Sequence, residues 1–197
     1  YKPDLIILGH ADLISADQIN ELKSDYPNVK IGQWFLDPLN RKGPDYERNK
    51  QRILDKIECV DGTFMTTCPS ALNFLSKYDN NFYIPNPADK SFEILNNYNK
   101  SCNVDVFFAL SHGVHRGVLK RGKTDDRINF VNRLIETTPN VKFDIYGLNN
   151  IQPIWADHYF KTISNAKMGL NLSRGDAIKY YSSDRITQIV GNGLVCL

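Results

Sequence analysis

Short apolar runs alternate with amphipathic segments along the whole chain, and this alternation limits the fold more than any other feature. Runs typical of strands lie at Leu5–Leu8, Val29–Phe35, Gly62–Met65, Phe82–Ile84, Val104–Leu110, Val141–Tyr146, Lys167–Leu172 and Leu194–Leu197. Helical patterns fall between them at Ala16–Tyr26, Tyr46–Ile57, Pro69–Tyr78, Asp125–Thr137, Trp155–Ser164 and Asp184–Val190. Apolar strands separated by helices predict an α/β fold, with parallel sheets that are covered on both faces.

A proline-rich segment divides this pattern into two blocks. Pro85 and Pro87 stand on either side of Asn86, and two prolines so close exclude a regular helix or a central strand. We therefore predict two Rossmann-like lobes, over residues 1–87 and 88–197. The chain does not start with Met and ends inside an apolar run, so we expect both lobes to be incomplete in this sequence.

Charge and composition exclude several classes of protein. The 197 residues carry 24 basic and 22 acidic side chains, a net charge of +2, so no strong field for nucleic acid is expected. No apolar run approaches the roughly 20 residues of a membrane span, and no signal peptide is visible. We expect a cytoplasmic protein, with peripheral attachment to a membrane left open. The four cysteines form no CxxC pair, which favours reduced, buried thiols.

Polar loops follow the predicted strands of the second lobe, where ligands of parallel sheets bind. The loop after Val104–Leu110 contains Gly113 and Arg116 and holds four cations between residues 114 and 123. It is interpreted either as a phosphate-binding loop or as a solvated basic loop. Gly147 allows the chain to leave the next strand tightly, and Tyr146 before it either packs against a base or joins the core.

The segment Tyr180–Leu197 gives the most specific indication of chemistry. Ser182, Ser183 and Asp184 are good residues to begin a helix, and Arg185 falls in its first turn. The preceding polar loop adds Ser173 and Arg174. A helix N-terminus with hydroxyls and an arginine suits a diphosphate, which indicates a nucleotide-linked substrate.

Two residues of the first lobe are candidates for a general base. His10 and Asp37 follow predicted strands and could each take a proton from a hydroxyl. Alternatively, His10 is a hydrogen-bonded loop residue and Asp37 forms an Asx-turn before Pro38. The pair Asp125-Asp126 opens a helix and favours capping over a metal site, so we expect neither a metal nor a cofactor.

Three segments resemble the group-one glycosyltransferases of the GT-B fold, in the branch related to spore-maturation glycosyltransferase-like proteins. They are Ile84–Asp89, Phe143–Gly147 and Ser183–Gly193, of which the last is similar to the family's donor-site helix, S-x-R-x-x-E-x-x-x-x-G. The resemblance implies a GT-B-like pair of lobes and metal-independent transfer of a sugar. The donor is a nucleoside-diphosphate sugar, and the acceptor is a hydroxyl of a glycan, lipid or protein.

The resemblance also implies roles for individual residues. Arg185 and the helix start at Ser182–Asp184 would neutralise the donor diphosphate. Gln188 stands where the family has a glutamate that binds the ribose, and Tyr180 stands where its retaining members have another. The expected donor-binding residues are Gly113, Arg116, Gly147, Ser173, Arg174, Ser182, Ser183, Asp184, Arg185 and Gln188. A catalytically silent binding module and a sugar-nucleotide 2-epimerase are the alternatives.

Overall fold

A computed structural model describes residues 2–43, 45–111, 114–115, 118–119, 126–173 and 177–197, with 114–115, 118–119 and 126 described by their backbone. The chain forms two compact units. Unit 1 comprises Tyr1–Asn86 and Gly175–Ser183, and unit 2 comprises Pro87–Arg174 and Asp184–Leu197. Each contains a four-stranded sheet in which all strands are parallel, so the predicted α/β fold with two Rossmann-like lobes is confirmed.

The sheet of unit 1 follows the order of the chain. Its strands are β1 (Leu5–Gly9), β2 (Lys30–Phe35), β3 (Gly62–Met65) and β4 (Asn81–Tyr83), in the order β1-β2-β3-β4. Two helices, α1 (Ala16–Asp25) and α2 (Tyr46–Leu54), connect the first three strands. The register places Leu5 opposite Lys30 and Gly32 opposite Gly62.

Local sequence signals set the start of α1. Ser15 accepts a hydrogen bond from the Gln18 amide at 3.2 Å, and the Gln18 side chain accepts from the Ser15 amide at 2.9 Å. This capping box satisfies two amides that the helix itself leaves without partners. Ser15 is therefore the N-terminal cap of α1.

The predicted helix over Pro69–Tyr78 is wrong. The structure has two short 3₁₀ turns instead, Pro69–Ala71 and Asn73–Leu75, with Leu72 in an extended conformation between them. Leu72 and Leu75 are both buried in the same apolar cluster as Phe35 and Met65. The extended Leu72 interrupts a continuous helix, while both leucines still reach the core.

A late segment of the chain completes unit 1. Ile178 packs against the apolar cluster that contains Leu72 and Leu75. The Cys68 amide donates to the Tyr180 carbonyl at 3.1 Å, and the Ser182 amide donates to the Thr66 carbonyl at 3.0 Å. These bonds extend unit 1 beyond the end of β3 by backbone pairing.

Unit 2 has a different strand order. Its sheet contains β5 (Val104–Ala109), β8 (Phe143–Tyr146), β9 (Ala166–Gly169) and β10 (Val195–Cys196), in the order β10-β9-β5-β8. The helices are α3 (Asp126–Thr137), α4 (Ala156–Ile163) and α5 (Asp184–Gly191). The strands β6 (Val114–His115) and β7 (Val118–Leu119) pair antiparallel in a separate sheet within the predicted basic loop.

Helices cover both faces of this sheet, as the apolar strands predicted. Val106 and Phe108 of β5 belong to a cluster with Val131 of α3, whereas Phe107 belongs to a cluster with Ile163 of α4. Alternate residues of a strand point to opposite faces, so these clusters lie on the two sides of the sheet. Among the helices that the structure describes, none is both long and apolar enough to cross a bilayer.

Candidate functional site

Unit 2 contains a cavity of about 560 Å³ at the carboxyl end of β5. Its volume lies within the range of roughly 300–1,000 Å³ that is usual for small-molecule sites. The lining comes from the end of β5, the start of α4 and the first turns of α5, and includes Leu110, Ser111, Ile154, Trp155, Tyr159, Asp184, Arg185 and Gln188. Three of these, Asp184, Arg185 and Gln188, are predicted donor-site residues.

Arg185 is held in the cavity wall from two sides. Its Nη1 donates to the Leu172 carbonyl at 3.0 Å, and its guanidinium carbon lies 5.7 Å from the centre of the Phe108 ring. Arg127 of α3, which is buried, donates to the same carbonyl at 3.3 Å. Two cations therefore share one acceptor beside the cavity.

Gln188 is oriented by a tyrosine from the neighbouring helix. The Tyr159 hydroxyl donates to Oε1 of Gln188 at 2.9 Å. Burial raises the pKa of Tyr159 to about 12, with the positive charge of Arg185 acting in the opposite direction. The hydroxyl therefore remains a donor at physiological pH, and the amide hydrogens of Gln188 are the part directed to other acceptors.

Aromatic side chains form the remaining wall. Trp155 directly precedes α4, lines the cavity and is 48% exposed. Tyr159 meets Phe107 edge to face, with 5.4 Å between ring centres. The sequence left open whether Tyr146 contacts a nucleotide base or joins the core. In the structure it packs against the core cluster that contains Phe107.

The sequence did not single out Trp155, Tyr159 or Arg127. The spacing of Trp155 and Tyr159, four residues apart at the start of a helix, was the available signal, because such residues share one helix face. The tertiary fold decides which strand end lies against that helix face. The local sequence pattern does not predict this contact.

Ser182 and Ser183 belong to unit 1, and the residues that line the cavity do not include them. The Ser182 amide donates to the Thr66 carbonyl at 3.0 Å, and its own carbonyl accepts from Nδ2 of Asn86 at 3.0 Å. Ser183 is buried. The backbone of Ser182 is therefore engaged in the pairing that completes unit 1.

Gly147 has a role in backbone packing. Its φ is +78°, and a Cβ at this position would lie 1.8 Å from the Leu110 carbonyl oxygen. The Leu110 amide in turn donates to the Tyr146 carbonyl at 2.9 Å. Only glycine fits here, because a side chain would be both strained and in collision with the backbone. This packing closes the ends of β5 and β8 together.

Of the other predicted donor-site residues, the structure describes only Ser173. Ser173 follows Leu172 in a half-buried, irregular segment and is absent from the cavity lining. Gly113, Arg116 and Arg174 lie outside the described residues. Their assignment to the donor site stays a prediction.

The two candidate bases of unit 1 have different surroundings. His10 directly follows β1, is exposed, has a φ of +47° and stacks on Phe35 with 5.5 Å between ring centres. Asp37 lies two residues beyond β2 and is half-buried. A small cavity beside His10 includes Phe35 in its lining but does not include Asp37. The structure therefore gives no support to a shared role for the two residues.

Within the described part of the chain, no three or more His, Cys, Asp or Glu side chains come together as a metal site. The sequence matches no protein-family model and no curated protein. The side chains that line the cavities are therefore the basis for assigning a function.

Proposed function

We propose that this chain is a glycosyltransferase of the GT-B type, which moves a sugar from a nucleoside-diphosphate donor to a hydroxyl acceptor. The observation that carries the proposal is the cavity of unit 2, where Trp155, Arg185 and Gln188 meet at the carboxyl end of β5. Ligands of parallel α/β sheets bind outside the carboxyl ends of the strands. The cavity thus has the position, the size and the polar groups that a nucleotide-linked sugar requires.

The diphosphate is assigned to the start of α5. The first amides of a helix point outward without internal partners and carry a partial positive charge, which favours an anion. Arg185 adds a full charge in the first turn of this helix. Asp184 and Glu93 contribute carboxylates to the same lining and oppose the anion, so Arg185 and the α5 amides together have to supply the attraction.

The nucleoside is assigned to the aromatic wall. Trp155 presents an exposed indole to the cavity, a surface on which a planar base can stack. Gln188, fixed through its Oε1 by Tyr159, would direct its amide hydrogens to ribose oxygens. An amide in place of the family's glutamate can bind a ribose by donating hydrogen bonds to its oxygens as well as by accepting them from its hydroxyls.

During transfer, the acceptor oxygen forms a bond to the anomeric carbon while the bond from that carbon to the diphosphate oxygen breaks. The acceptor proton passes to a base, for which His10 and Asp37 remain the predicted candidates. Negative charge develops on the leaving diphosphate, where Arg185 and the α5 amides would stabilise it. No metal is needed to neutralise the leaving group in this scheme.

Titration calorimetry with UDP-, GDP-, ADP- and CDP-sugars, with and without Mg²⁺, tests the donor site. Replacing Arg185 with Ala should weaken binding by about 10- to 100-fold, the loss expected for a charge-assisted hydrogen bond. Arg133→Ala is the matched control, since Arg133 is an exposed helical arginine of unit 2 outside the cavity lining. Equal donor affinity of Arg185→Ala and the unchanged chain would contradict the assignment.

A second candidate is a module that binds the nucleotide sugar without transferring it. Tyr180, which stands where retaining members have a carboxylate, is exposed and lies beneath Nζ of Lys179 at 4.6 Å from the ring centre. A phenol cannot act there as the family's glutamate does. Donor binding without product across an acceptor panel would favour this module, and donor consumption without any acceptor would favour an epimerase.

A further inference from the structure

A second, much smaller cavity lies in unit 1 and contains polar groups that the proposed donor site does not use. It occupies about 20 Å³ beside the carboxyl ends of β1 and β2. The lining includes His10 and Asp12 after β1, Trp34 of β2, Arg52 of α2, and Lys56 in the turn that follows α2. Parallel sheets bind ligands at this edge, so the position itself is that of a site.

Two donors in this lining lack an acceptor. Lys56 is only 7% exposed, and its ammonium makes no hydrogen bond or ion pair with any described residue. Nε1 of Trp34 is fully buried and has no hydrogen-bond partner among the described residues. A buried N–H is costly when nothing accepts from it. An acceptor that reached both donors would remove this cost.

The other charges of the lining balance each other. Arg52 forms an ion pair with Asp12, so neither supplies a net charge to the cavity. His10 stands at the same edge, exposed and stacked on Phe35. Lys56 therefore leaves one positive charge without an ion-pair partner among the described residues, in the lining that also includes Trp34. A negatively charged oxygen group is the ligand that complements both donors at once.

The cavity volume limits the size of this ligand. A space of about 20 Å³ is little more than the roughly 10–15 Å³ that one water molecule needs. It admits the end of a molecule, such as one carboxylate or phosphate group, and not a sugar ring or a base. The remainder of the ligand would have to extend from the surface of unit 1.

We propose that this cavity binds one oxyanion group, a carboxylate or a phosphate carried at the end of a small-molecule ligand, through Lys56 and the Trp34 indole. The site rests on unit 1 alone. Only the further step, that its ligand is the acceptor of the transferase, rests on the proposed function. In that case the acceptor is an anionic molecule.

Nuclear magnetic resonance of the indole groups gives a direct test. The chain has two tryptophans, so a ¹⁵N-labelled sample gives two indole signals, which a Trp155→Phe variant assigns. Inorganic phosphate and acetate are titrated separately, with sodium chloride keeping the ionic strength constant. The Trp34 indole proton should shift downfield and saturate with at least one of them, and the one that acts identifies the group.

Variants connect the shift to the proposed contacts. Lys56→Met keeps the length of the side chain and removes its charge, so binding should weaken about tenfold or more. Lys56→Arg should remain within a few-fold of the unchanged chain. Lys50→Met is the matched control, because Lys50 lies in α2 outside the cavity lining and pairs with Glu47.

Three results would overturn the proposal. They are a Trp34 signal that neither anion shifts, a shift that persists unchanged in Lys56→Met, and a phosphate shift confined to Trp155 of unit 2. The first and third results are measured on the unchanged chain, so the test can still be made if a variant fails to fold. Nucleotide sugars should shift the Trp155 signal instead, so failure of the donor site and failure of the anion site are seen separately.

Discussion

The Tyr159 hydroxyl donates a hydrogen bond of 2.9 Å to Oε1 of Gln188, and this bond joins α4 to α5 within the cavity lining of unit 2. Tyr159 also packs edge to face on Phe107 of the central strand β5, so the donor is fixed before any ligand arrives. The bond therefore sets the orientation of the Gln188 amide, which the proposed function assigns to the ribose.

Tyr159→Phe should reduce both stability and donor affinity. Loss of one neutral hydrogen bond costs about 1 kcal/mol of unfolding free energy, and loss of the amide orientation should weaken nucleotide-sugar binding about three- to tenfold. Urea unfolding and titration calorimetry measure the two effects. Tyr98→Phe removes a hydroxyl from an exposed tyrosine of the same unit and should change neither quantity. Unaltered donor affinity in Tyr159→Phe would separate Gln188 from ligand binding.

Tyr159 should also make the stability of unit 2 depend on alkaline pH. Burial raises its pKa in the folded chain to about 12, above the ordinary value of 10.0. The folded state thus disfavours ionisation, so the stabilisation is complete below pH 10 and is lost as the pH rises through about 12. Unfolding midpoints measured across this interval should fall less steeply in Tyr159→Phe. If the unfolding midpoints of Tyr159→Phe and of the unchanged chain fell equally steeply with pH, the Tyr159 phenol would not be protected from solvent.

The fold class and the start of α1 were within reach of the sequence because they depend on local patterns. The alternation of apolar runs predicted the α/β fold, and serine, which stands at position 15 just before α1, is a residue that favours the start of a helix. The Pro69–Tyr78 prediction failed because an extended Leu72 separates two 3₁₀ turns, and in this arrangement Leu72 and Leu75 are buried in the core of unit 1. Over this short segment, helix propensity had less influence on the backbone conformation than burial of the two leucines.

The candidate site could be predicted only in part. Arg185 was singled out because it falls in the first turn of a predicted helix, and Gln188 because it stands where the resembling family has a glutamate. Tyr159 was missed because its contact with Gln188 joins residues 29 positions apart. Pairing of the Ser182 amide with Thr66 was likewise invisible, since backbone partners distant in sequence leave no local pattern.

Gly147→Ala should strongly destabilise unit 2. The residue has a φ of +78°, and a Cβ would lie 1.8 Å from the Leu110 carbonyl oxygen, so the strands must separate or the turn must change. We expect a loss of about 3 kcal/mol or more in urea unfolding. Gly9→Ala is the matched control, because a Cβ at Gly9 meets nothing within 4 Å. Similar losses in both variants would show that the close approach of Gly147 and Leu110 is not a constraint.

Asp61→Ala should destabilise unit 1, most clearly above the acid range. Asp61 and Ile31 exchange two bonds: the Ile31 amide donates to Oδ2 of Asp61 at 2.8 Å, and the Asp61 amide donates to the Ile31 carbonyl at 2.7 Å. The bond from the Ile31 amide, with Lys23 and Lys30 beside the carboxylate, lowers the pKa of Asp61 below 3.8.

The charged form therefore stabilises the folded state above pH 3.8, and this contribution is lost as the pH falls through the lowered value. We expect a cost of about 1 kcal/mol near neutrality, because solvent screens the partly exposed ion pairs and the Ile31 amide then lacks its acceptor. Asp61→Asn keeps an acceptor oxygen and should cost less, and Asp79→Asn, at an exposed aspartate, should cost nothing measurable. Chemical unfolding of the variants at neutral and acid pH measures the difference. A cost that stayed constant into acid would show that the carboxylate charge has no part in it.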